Sequence, residues 1–131
     1  MAYDIFLQII SQLSGQKRAR CVVQDQIIFI DQPHKNRWVL STKVFHGEGY
    51  LPPSIRGCVS SSGILRWQER GASLRLDPHS QSIFLIHEID ATRRYTHFRF
   101  VMKDFLSLAE EWRIIFDDLG SQDLDKSRSA R

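Results

Sequence analysis

His87 and Glu88 stand side by side, a pairing that acid–base chemistry often uses. Along an extended strand, though, neighbouring side chains point to opposite faces, so the two cannot act on one atom. The remaining histidines, His34, His46, His79 and His97, never take the i, i+4 spacing of a zinc-binding helix, and none pairs with a cysteine at metal-ligand spacing. Cys21 and Cys58 form neither a disulfide framework nor a metal knuckle. They read as small buried apolar residues in a reducing compartment. "HGEGY" (46–50) is too short to cradle a phosphate and precedes no capped helix, and there is no P-loop and no nucleophile elbow. These residues predict no enzyme, no metal site (metal: none) and no cofactor (cofactors: none).

The sequence is rich instead in apolar faces. Tyr3, Phe6, Leu7, Ile10 and Leu13 recur at helical spacing and Gly15 closes that helix. Ile5 and Ile9 widen the stripe, so either both sides of the helix are covered or one is left for a partner. "RARCVVQDQIIFIDQ" predicts extended chain, with Val22 and Val23 in one stretch and Ile27 to Ile30 in another. A Pro/Asn turn at 32–36 leads into "RWVLSTKVF", where Trp38, Leu40 and Thr42 share a face. The glycines and prolines of residues 46–53 mark a loop.

Residues 54–69 read as a short or broken helix capped by Ser54, with Ile55, Val59 and Ile64 on its buried side and Gly57 and Gly63 weakening it. "GASLRLDPHSQSIFLIHEID" is a hairpin turning at "DPHS", and its second arm is apolar on both faces, as a central strand is. Last comes a seam of Phe98, Val101, Phe105, Leu108, Trp112, Ile115 and Leu119, alternating steps of three and four, which Gly120 ends. Met102, Leu106, Ile114 and Phe116 are apolar positions off that seam. The order predicts a single α+β domain over residues 1–119 and a polar, disordered tail over 120–131.

With 131 residues, 42% of them hydrophobic, the chain builds one core. Its start has no basic region or cleavage site of a secretion signal, and no apolar run approaches the ~20 residues of a membrane span. The expected location is the cytoplasm. The net charge of +3 comes from scattered basic residues with no run of five, which permits a nucleic-acid partner without requiring one. The apolar faces exceed what one small sheet covers, and unpaired apolar area favours association.

In its opening helix ending "LSG", its hairpin "GASLRLDPHSQSIFLIHEID" and its closing helix "HFRFVMKDFLSLAEEWRIIFDDL", the sequence resembles the class I type III secretion chaperones, the Tir-chaperone (CesT/SycE-like) family. The resemblance covers about residues 2–119. It implies an α-β-β-β-α-β-β-α protomer in the cytoplasm of a Gram-negative-type bacterium, without enzymatic activity. Such a protein binds the extended N-terminal segment of a secreted effector or gatekeeper protein and keeps it secretion-competent.

By position, Phe6, Ile9, Ile10, Leu13, Val23, Ile28, Ile30, Trp38 and Leu40 are then the client-binding residues, and strand edges add the client backbone. Ile55, Val59, Leu65, Trp67 and Leu74 form the dimer interface, isologous if the dimer is symmetric. Most such chaperones are acidic and this chain is basic, which fits a heterodimer with a second, acidic chaperone as an alternative to a homodimer. The contrasting function is a regulator contacting nucleic acid or the transcription machinery through a basic surface.

Overall fold

Strands with one apolar and one mixed face pair into a single antiparallel sheet, and helices supply the cover for the apolar side. The structure is a computed structural model that describes residues 2–62, 68–69, 71–91 and 94–129. In chain order the elements are α1 (Ala2–Gly15), β1 (Arg18–Val23), β2 (Gln26–His34), β3 (Arg37–Phe45), α2 (Pro53–Ser62), β4 (Gln68–Glu69), β5 (Ala72–Asp77), β6 (Ser82–Asp90) and α3 (Tyr95–Ser129). This is the predicted α+β order with one addition, the two-residue strand β4, and the sheet runs β1-β2-β3-β6-β5-β4.

β1 and β2 meet through a two-residue turn in which Gln24 (φ 52°) and Asp25 (φ 63°) both take left-handed backbone, the requirement of the tight hairpin turn that matches strand twist. β6 lies between β3 and β5, which accounts for its apolar character on both faces. The β5–β6 turn forms where predicted: the Asp77 carboxylate accepts hydrogen bonds from the His79 and Ser80 N–H groups and, at 2.6 Å, from the Ser80 hydroxyl. The adjoining loop packs on this turn. Gly47 N–H donates to Ser82 Oγ at 3.0 Å, and a Cβ on Gly47 would lie 2.0 Å from the Gln81 carbonyl oxygen, so only glycine fits.

Ala19, Cys21, Ile28, Ile30, Trp38, Leu40, Leu74 and Leu85 are buried on one face of the sheet, packed with α1 and α3. The Phe6 and Phe98 rings, 5.0 Å apart, join those two helices. On the other face Val22 and Ile27 stay exposed, and Arg18 lies 4.8 Å over the Phe29 ring while bonding Asp31 at 2.7 Å.

α3 departs from the predicted seam in two ways. Its buried stripe is Phe98, Met102, Phe105, Leu106, Ala109, Trp112 and Phe116, rotated so that Ile115 is left exposed. The rotation follows from the helix meeting both α1 and β3, so residues flanking the heptad seam also enter the core. Nor does it stop at Gly120: it continues to Ser129 across most of the predicted tail. Arg113 pins α3 to the sheet by donating to Thr42 Oγ1 at 3.0 Å, Lys43 O at 2.9 Å and Gln26 Oε1.

A candidate polypeptide-binding surface flanking the first helix

No three metal-ligating side chains converge among the described residues. Burial pushes the Cys21 thiol up to about 11, which keeps it protonated and a poor nucleophile. His87 is half-buried against the edge of Phe105, and burial lowers its pKa while the charge of Asp104 opposes the shift. Glu88, on the opposite face of β6, instead bonds Arg37 at 2.9 Å.

A concave surface of about 1110 Å³ lies between the 45–54 segment and the far part of α3, and two others flank α1. The apolar arc of this helix is wide because it wedges Phe6 and Ile9 into the core while Ile5 and Ile10 form its two shoulders. Ile5 enters a groove of about 640 Å³ between α1, the β1–β2 turn and α3. Val23, Phe98, Met102 and Leu106 make its apolar lining, and Arg99, Lys103, Glu110 and Glu111 bring both signs of charge to it. On the other shoulder, Ile10, Leu13, Trp38 and Ala91 line a groove of about 710 Å³ with Gln32, Lys35 and Asn36. Trp38 is 3% exposed, and its indole Nε1 is buried without a hydrogen-bond partner among the described residues. Apolar grooves with a few polar groups at hand suit the side chains of an extended polypeptide.

The predicted client-binding residues divide accordingly. Phe6, Ile9, Ile28, Ile30, Trp38 and Leu40 are at most 5% exposed. They form this chain's own core, because α1 and α3 cover the sheet face that carries them. Trp38 alone of these also reaches a groove. Ile10, Leu13 and Val23 are half-buried and line the grooves. Sequence reasoning missed Ile5, Met102 and Leu106 as groove residues, although their apolar excess off the main stripes was the signal that marked them.

Of the predicted dimer residues, Ile55 and Leu74 belong to the core at 0% and 3% exposure, and Val59 is half-buried against it. Leu65 and Trp67 lie outside the described residues.

No protein-family model and no curated protein matches the sequence. Solved structures do resemble the fold. A chain of the HopA1-SchA chaperone-effector complex matches with a TM-score of 0.56 at 16% identity, over 86% of this chain and 93% of that one. A chain of the ExsC-ExsE complex matches with a TM-score of 0.59 at 13% identity, over 88% and 96%. The complex of the Yersinia pestis type III secretion chaperone SycH with a stable fragment of YscM2 gives 0.52 at 8% identity, over 86% and 99%. At these identities the likeness is one of architecture: the chain has an α+β fold also found in complexes of type III secretion chaperones.

Proposed function

We propose that this protein is a cytoplasmic type III secretion chaperone that holds the extended N-terminal segment of a secreted effector or gatekeeper protein without catalysing any reaction. The observation that carries the reading is the pair of apolar grooves flanking α1 on a fold shared with chaperone–effector complexes. Each groove accepts side chains of an unfolded segment, and neither requires that segment to form a core of its own. Pairing with a second, acidic chaperone suits the net charge of +3, with Val59 of α2 in the seam. A symmetric homodimer is the other arrangement of the same seam.

The nucleic-acid reading has less behind it, because the basic residues are scattered with no run of five and several already have partners. Arg18 bonds Asp31, Arg37 bonds Glu88, and Arg113 bonds the sheet.

The test is purification from a cell with an active type III system, followed by limited proteolysis of what accompanies the chain. A protected N-terminal segment of a secreted protein, retained between 0.1 and 0.5 M salt, is the expected result. Co-purified nucleic acid released steeply by salt, or a folded partner with no protected N-terminal segment, would refute the proposal.

A further inference from the structure

We propose that the groove between the 45–54 segment and the far part of α3 binds a proline-rich segment of a partner protein that carries an arginine. The inference goes beyond the chaperone reading and does not depend on it, since this groove shares no lining residue with either groove beside α1. At about 1110 Å³ it is also larger than both of them.

Its apolar wall is built from aromatic rings and prolines. The rings of Phe45, which ends β3, and Phe116 of α3 are 6.0 Å apart, and Phe116 stacks in turn on Trp112 at 5.6 Å. Phe116 is buried, whereas Tyr50 is 56% exposed and lines the groove together with Pro52 and Pro53. The loop bearing Tyr50 is held by its own main chain. The Tyr50 N–H donates to the Gly47 carbonyl at 2.9 Å, and the Gly49 N–H donates to the Ser80 carbonyl at 2.7 Å. A ring on so fixed a loop offers apolar area at little ordering cost. Aromatic-lined grooves take polyproline segments, whose pre-set extended backbone likewise loses little freedom on docking.

The charges name the other half of the ligand. Among the described residues the charged lining of this groove is acidic throughout, Asp117 and Asp123, whereas the grooves beside α1 carry mixed charge or Lys35. Asp123 is engaged by Ser54. Asp117 is exposed and makes no ion pair among the described residues. Arg113, one turn back, feels the charge of Asp117 but directs its guanidinium to Thr42 Oγ1 and the Lys43 carbonyl. An arginine suits both parts of the wall, because its planar fork matches a carboxylate and its face stacks on a ring. The chain already contains a contact of the second kind, with the Arg56 guanidinium 5.7 Å over the Tyr50 ring.

The test measures binding of a fluorescein-labelled peptide, Pro-Pro-Pro-Arg-Pro-Pro-Pro, to the full chain by fluorescence polarisation. One counterpart carries citrulline, the neutral isostere, in place of arginine, and another carries serine in place of every proline. The chain should bind the arginine peptide about fivefold more tightly than either counterpart. Asp117→Asn should abolish the preference for arginine over citrulline. Asp118→Asn makes the same change of charge at an exposed neighbour that does not line the groove, and should leave the preference intact. Tyr50→Leu should weaken the arginine and citrulline peptides alike, by roughly tenfold.

No saturable binding, equal affinity for the arginine peptide and either counterpart, equal effects of Asp117→Asn and Asp118→Asn, or full affinity in Tyr50→Leu would overturn the proposal. So would loss of the peptide on Ser14→Trp or Ser107→Trp, which fill the grooves beside α1 and would place it there. Client capture along α1 is read separately, so any of these results leaves the chaperone reading standing.

Discussion

Asp123, near the end of α3, accepts hydrogen bonds from the Ser54 N–H at 3.1 Å and from the Ser54 hydroxyl. Ser54 lies in the first turn of α2, where backbone donors have no partner within the helix and where negative charge is favoured. One helix therefore caps another from 69 residues away along the chain. Asp123→Ala should lower stability by about 1 kcal/mol in urea unfolding, the usual cost of a lost cap. Truncation after Leu119 should cost at least as much and loosen α2, read as faster amide exchange across residues 54–59.

Glycines of different surroundings should respond with opposite sign. At Gly47 a methyl group would strike the Gln81 carbonyl, a backbone atom fixed by its own turn, so Gly47→Ala should cost about 3 kcal/mol through displacement of the loop. Gly57 and Gly120 sit within helices with nothing inside 4 Å of an added Cβ. Gly57→Ala and Gly120→Ala should each stabilise by about 0.5–1 kcal/mol. Urea midpoints of the single variants settle all three.

These positions also show what was legible beforehand. The alternation of Trp38, Leu40 and Thr42, the two-faced apolar arm of β6 and the Asp77 turn all reflect local rules, and the folded chain keeps them. Periodicity names the apolar face of an element but not what covers it. The family resemblance implies a client-binding role for Ile28, Ile30 and Leu40, whereas α1 and α3 enclose all three in the core. Gly120 was read as a stop because local propensity disfavours glycine in a helix, whereas α3 passes through it and reaches Ser54 through Asp123. The 2.9 Å hydrogen bond from the Arg20 N–H to Gln12 Oε1 joins a helix to a sheet edge, and no spacing in a single sequence announces it.

His87 makes stability depend on pH. Burial holds its imidazole below the ordinary 6.5, so at mildly acid pH the unfolded chain takes up a proton that the folded chain refuses. The contribution is whole above 6.5 and is lost as pH falls through the lower folded value. Wild type should lose urea resistance between pH 7.5 and 5.5 by more than His87→Gln does. Equal losses would place the acid sensitivity elsewhere.

Filling the grooves separates their role from that of the core. Ser107 lines the groove on the Ile5 side and Ser14 lines the one on the Ile10 side, and both are exposed. Ser107→Trp and Ser14→Trp add bulk to the grooves while leaving every buried contact of α1 and α3 in place, so thermal unfolding should move little. Each should nevertheless weaken capture of the client segment by roughly tenfold or more, because a few well-packed side chains carry most of the affinity of such contacts. Phe100→Ser is the matched control: Phe100 is 73% exposed on α3 and lies in neither groove. It removes apolar surface that any nonspecific adhesion would use. If Phe100→Ser weakens capture as much as the tryptophan variants do, binding is diffuse and the grooves have no special part in it. If only the tryptophan variants fail, the client lies along α1.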